Sequence, residues 1–148
     1  MFKITRKFSF LFLGYILLFS TRGWAQVGDL APVTELGGNW AQVTQQGSSN
    51  SLEAAQQGHE NQAMSSQKGS SNQSSQKQEG RANEISLSQQ GQGLASDIQQ
   101  SGDQNSAQVI QQGRNDTTQI LQKGHGLMVD VAQSGNGSHV VVTQSNAR

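Results

Sequence analysis

The chain has no cysteine, so neither a disulfide framework nor thiol chemistry is open to it. It has one proline, Pro32, so nearly every backbone N–H can join a hydrogen-bonded ladder. Aromatic residues are 5% of its 148 residues and apolar residues 32%, too few for an ordinary globular core. Charge is scarce as well, at 14%, and balances to a formal net charge of +0. With no basic patch, nucleic acid is excluded as an expected partner. Gln, Ser, Gly and Asn fill the space these absences leave. Such a composition usually means a low-complexity or disordered chain. That conclusion fails if the polar residues are patterned.

The first stretch reads as a targeting segment. Lys3, Arg6 and Lys7 form a basic region, and Phe8 to Phe19 is an apolar run of twelve residues. A comfortable bilayer span needs about 20. Gly23-Trp24-Ala25 places small residues three before and one before a cut after Ala25, as secretory peptidases require. Residues 1–25 are therefore expected to be a signal peptide, and 26–38 a flexible N-terminal segment. Four of the ten basic residues lie in 1–25 and all ten acidic residues lie beyond it. The processed chain would thus carry six basic against ten acidic residues, a formal charge of −4.

The pattern lies in residues 39–146. Gln45, Gln56, Gln67, Gln78, Gln89, Gln100, Gln111, Gln122, Gln133 and Gln144 stand eleven residues apart without insertion or deletion. Two residues after each comes glycine: Gly47, Gly58, Gly69, Gly80, Gly91, Gly102, Gly113, Gly124 and Gly135, with Asn146 breaking the series. Six before each Gln there is usually asparagine: Asn39, Asn50, Asn61, Asn72, Asn83 and Asn105. Leu94, Asp116, Leu127 and Ser138 depart from that slot. The slots four and two before each Gln are apolar in fifteen of twenty cases, from Ala41 and Val43 to Val140 and Val142. Ser, Gln, Glu, Asp, Thr and Lys alternate with them.

Period-two alternation, repeated ten times, is a strand signal. An eleven-residue period also suits a right-handed helical coil. On a helix, however, residues two apart point about 200° away from each other, so the apolar pair could not share a face. A glycine in every unit would also cost a helix about 1 kcal/mol each. The expected fold is therefore all-β: a β-solenoid of five strand–turn–strand rungs, ten strands in two facing sheets. Each unit gives a strand of six or seven residues with Gly in the following turn. Asn, the two apolar residues and Gln face inward. At about 4.8 Å per rung the stack would rise roughly 24 Å, its sheets about 10 Å apart.

Burying Gln and Asn is costly unless every amide is paired. Stacking identical amides rung upon rung pairs them, and it needs the same residue at the same place in each rung. The weakest unit is expected at residues 72–82, where Ser74 and Gln76 fill both apolar slots. The last two units hold the best strand formers, notably Val140-Val141-Val142, and earlier protection from hydrogen exchange is expected there.

A solenoid exposes an unpaired strand at each end. Only residues 26–38 would precede the first strand after processing, and the sequence closes soon after Gln144 with no evident cap. Open ends with matching slots imply head-to-tail stacking into an amyloid fibre with no natural stop. The outward acidic residues Glu53, Asp97 and Asp130 suit a role in keeping solvent faces apart.

The unit Gln56-Gln57-Gly58-His59-Glu60-Asn61-Gln62-Ala63, running to Gln67, resembles the curlin repeat of bacterial curli fimbriae, and the resemblance spans residues 39–146. It implies a subunit that leaves a Gram-negative-type cell unfolded, through the periplasm and a dedicated outer-membrane pore, and polymerises at the surface. The fibres of that family serve cell adhesion and biofilm matrix. The implied partners are further copies of itself, the other curlin subunit, and the secretion pore with its accessory proteins. Residues 26–38 occupy the place of the family's secretion-targeting segment. The ending Val142-Thr143-Gln144 is more similar to the minor, nucleating subunit than to the major one. The basic last repeat of that subunit is reduced here to Arg148 and His139.

No enzyme, cofactor, metal or small-molecule substrate is expected. His59 and His125 share a turn slot three rungs apart, about 14 Å, and Asp97 and Asp130 fall on opposite sheets. The rival reading is a monomeric secreted binding solenoid of the ice-binding or adhesin type. Its ligand face would need a uniform outward column, whereas Trp40, Ser51, Gln62, Glu84, Met128 and His139 share one slot. A disordered secreted linker is the third reading.

Overall fold

The computed structural model describes residues 6–11, 17–20 and 38–146. The expected cut after Ala25, nearly all of the segment 26–38 and the tail 147–148 lie outside these residues.

The described residues form twelve strands and no helix. β1 (Arg6–Leu11) and β2 (Leu17–Ser20) come first. The repeat then supplies β3 (Trp40–Ser48), β4 (Ser51–His59), β5 (Gln62–Ser70), β6 (Gln73–Arg81), β7 (Glu84–Gln92) and β8 (Ala95–Asp103). It closes with β9 (Ser106–Arg114), β10 (Thr117–His125), β11 (Met128–Asn136) and β12 (His139–Ser145). One strand per eleven-residue unit is what the alternation required.

Odd-numbered strands β3 to β11 hydrogen-bond side by side in one sheet, and even-numbered strands β12 to β4 in the other. Within each sheet the repeat strands run parallel, and each residue meets the one 22 positions on, as Gln45 meets Gln67 and Gln56 meets Gln78. The chain thus winds as a β-solenoid of two-strand turns, with its core between the sheets. Residues that share a slot share a column, which is the property an amide ladder needs.

One expectation changes and another gains a condition. The repeat strands β3 to β11 run nine residues and β12 seven, and the glycines lie inside the strands rather than in the turn. Gly91, for example, bends the end of β7 at φ +149°, and the turn follows at Gly93-Leu94. The first edge is also covered. β1 lies antiparallel along β3, with Phe8 opposite Val43, and β2 along β4, with Phe19 opposite Leu52. The outer backbone groups of β3 and β4 are a pairing template, and the extended N-terminal stretch occupies it. Loss of residues 1–25 would uncover that edge.

The apolar core is not continuous. Val43, Leu52 and Ala54 form one cluster in the first turn. Ile85, Leu87, Ile98, Ala107, Val109, Ile120, Val129 and Val131 form the other, in the last three turns. Between them, β5 and β6 present Ser65, Ser74 and Gln76, all buried.

Candidate functional site: the amide ladders and the stacking edge

The strands place the repeated Gln in two columns, one per sheet, buried except at the partly exposed Gln56 and Gln144. Nε2 of each Gln donates to Oε1 of the Gln one turn on. In the first sheet the column runs Gln45, Gln67, Gln89, Gln111, Gln133 at 2.8–2.9 Å. In the second it runs Gln56, Gln78, Gln100, Gln122, Gln144 at 2.8–3.1 Å. The same Nε2 also reaches the other sheet: Gln67 donates to the carbonyl of Ser51 at 3.1 Å and Gln100 to that of Glu84 at 3.0 Å. The glutamines therefore tie turns along the stack and sheets across it. This second bond is not visible in the spacing.

The asparagines stand at the corners, just after each turn. Asn39, Asn61, Asn83 and Asn105 form one column. The backbone N–H and Nδ2 of Asn61 both donate to Oδ1 of Asn39 at 3.1 Å, and Asn83 and Asn105 repeat the pattern. Nδ2 also donates to two carbonyls: from Asn83 these are Glu79 at 3.2 Å and Gly102 at 2.7 Å. Asn50 and Asn72 start the opposite column, where the N–H of Asn72 and then of Leu94 bonds the Oδ1 below it. The backbone N–H of Leu94 and of Leu127 donates such a bond, but neither side chain offers an acceptor to the next turn.

Asp116 is the departure with consequences. It is fully buried, and its Oδ1 accepts the N–H of Ser138 at 2.8 Å. Its Oδ2 has no hydrogen-bond partner. Asparagines in this slot turn their amide nitrogen toward the carbonyls four residues before and nineteen after, which here belong to Gln112 and Gly135. A carboxylate oxygen therefore stands where a donor is wanted.

The glycine column is enforced by stacking. A Cβ added at Gly91 would lie 1.8 Å from the carbonyl oxygen of Gly113, one turn on. At Gly135 a Cβ would meet only Ser138 Oγ, at 3.9 Å, because no described turn lies above it. The glycine is demanded by the turn that follows. Asn146 takes the place of the last one and folds its amide back. Its Oδ1 accepts from the N–H of His125 at 2.9 Å, and its Nδ2 donates to the His125 carbonyl at 2.8 Å.

Outside the ladders, His59, Arg81, Asp103 and His125 fall in one column at the turn. The two histidines are separated by the intervening Arg and Asp. Asp97 lies in β8 and Asp130 in β11, on different sheets. The ion pairs Lys77–Glu79 (2.6 Å) and Arg81–Glu60 (3.1 Å) are solvent-exposed, and such pairs contribute little.

Among the described residues no strand pairs with the far edges of β11 and β12. Nor does any glutamine there donate to Oε1 of Gln45 or Gln56, or accept from Nε2 of Gln133 or Gln144 at the far end. The two ends of the glutamine columns are thus unlike: one turns amide oxygens outward, the other amide N–H groups. Comparison with family models, curated proteins and solved structures finds no match to this chain.

Proposed function

We propose that this chain is a structural subunit of an extracellular functional-amyloid fibre of the curli type, built by head-to-tail stacking of solenoids. The end-to-end complementarity supports this reading best. In a continued stack, Nε2 of Gln133 and Gln144 would meet Oε1 of Gln45 and Gln56 of the next copy. Val129, Val131, Val140 and Val142 would sit over Ala41, Val43, Leu52 and Ala54. The far edge carries backbone donors and acceptors in the same parallel register used inside the molecule. Processing after Ala25 would release the near edge from β1 and β2.

On this reading the chain is secreted through the periplasm to the cell surface. There it joins further copies of itself and a second curlin subunit, with an adhesive and matrix-forming role. The Val-rich last turn favours the nucleating member of such a pair.

The test uses the chain from Gln26, followed by thioflavin T and fibre diffraction. A lag, then growth with a meridional reflection at about 4.7–4.8 Å, is expected. A persistent β-rich monomer would instead support a binding solenoid, and a persistent coil a linker. Exchanging the buried Gln89 for Ala should slow growth far more than exchanging the exposed Gln62 or Gln108. Equal effects would overturn the ladder's part in assembly.

A further inference from the structure

Resting on that reading, we infer that the corner residues of the last turn restrain the addition of a second copy of this chain, so that the junction between copies has fewer corner bonds than any step within one. Internal steps bring three sets of contacts into register: the Gln columns, the corner columns (interrupted where Leu94 offers Asp116 no acceptor) and the glycine columns. A junction would repeat the first set and lose parts of the other two.

The corners show the loss. Inside the solenoid, the backbone N–H of the residue starting each turn bonds the asparagine Oδ1 one turn below, as at Asn61, Asn83 and Asn105. In an added copy, the N–H of residue 39 would look for that acceptor on Leu127, which has none. The N–H of residue 50 would meet Ser138, whose hydroxyl sits on a shorter side chain than the amide it replaces. An added Asn39 would also find no Oδ1 below for its Nδ2.

The glycine column breaks at the same place. Glycine is required wherever a turn is followed, since a Cβ there would sit 1.8–2.0 Å from the next carbonyl oxygen at Gly80, Gly91, Gly102 and Gly113. Gly135 keeps this open shape. Asn146 does not: it puts a side chain in the column that residue 58 of an added copy would continue, and its amide is committed to His125 one turn below. All three departures fall in the last turn, while the same turn keeps Gln133, Gln144 and four inward valines. Strand pairing with a second copy is retained and corner pairing is withdrawn.

Every ladder bond lies within residues 39–146, so the chain from Gln26 keeps the whole solenoid. The experiment compares it with its Leu127→Asn, Ser138→Asn, Asn146→Gly variant, which gives the last turn the corners of an internal one. The variant should assemble with a shorter lag and leave about fivefold less soluble chain at plateau, the worth of roughly one net hydrogen bond. A plateau equal to or above wild type overturns the inference while leaving the fibre reading in place. Fibres from the variant but not from wild type uphold the restraint and overturn the homopolymer reading. No fibres from either overturn both. Should the triple variant lose its β circular dichroism, Leu127→Asn alone, at one half-buried corner, decides in the same assay.

Discussion

Asp116 Oδ2 is buried without a hydrogen-bond partner, in a slot where asparagines place an amide N–H. Replacing Asp116 by Asn should return an N–H donor toward Gln112 and Gly135 and keep the acceptor used by Ser138. Stability should rise by about 1–3 kcal/mol, the penalty of a buried polar atom left unpaired, read as a higher urea midpoint at unchanged slope. A lower midpoint would show that the carboxylate has a partner of its own. Glycine offers the opposite contrast. Gly91→Ala would drive a Cβ into the Gly113 carbonyl and should destabilise by about 2–4 kcal/mol. Gly126→Ala has nothing within 4 Å and a φ of +66°, so only the left-handed backbone penalty of about 1 kcal/mol applies. Similar losses at both sites would mean that the rise between turns relaxes to admit a side chain.

The weak element is the second turn, β5 with β6. Ser65, Ser74 and Gln76 split the apolar core in two, and Ser74 Oγ and Gln76 Oε1 lack partners although Gln76 Nε2 donates to Ser65 Oγ at 2.6 Å. Residues 62–81 should therefore exchange their amide hydrogens before the turns built on Ile85, Ile98, Val109 and Ile120. The double exchange Ser74→Val, Gln76→Ile should join the clusters and abolish that early exchange; unchanged early exchange would place the weakness elsewhere. The weakness at Ser74 and Gln76 was legible in the sequence because it is a matter of residue type in a slot. For the earlier protection expected in the last two units, burial points the other way. Val140 and Val142 are only partly buried, since no turn lies above them, whereas Ile85, Ile98 and Val109 are fully enclosed. Slot, facing and sheet membership followed from spacing alone. The bond from Gln67 to Ser51 and the reach of the Asn83 amide to Gly102 did not, because they depend on how the sheets sit across the core. The position of glycine inside the strand also escaped the pattern: spacing marks where a residue recurs, not where the chain bends.

On the proposed function, assembly turns on two unlike ends that continue each other, one of them covered by β1 and β2 until residues 1–25 are lost. Assembly should accordingly depend on processing. The full chain should elongate more slowly than the chain from Gln26, and equal rates would mean that β1 and β2 do not guard the edge. The most direct measurement is solid-state NMR on fibres grown from a mixture of two differently isotope-labelled batches, read for side-chain contacts between molecules. Contacts from Gln133 of one copy to Gln45 of the next, with Gln144 to Gln56 in the other sheet, are the result expected of solenoids stacked head to tail. Contacts between like residues, such as Gln89 with Gln89 of a neighbouring copy, would show chains laid flat in register and would contradict it.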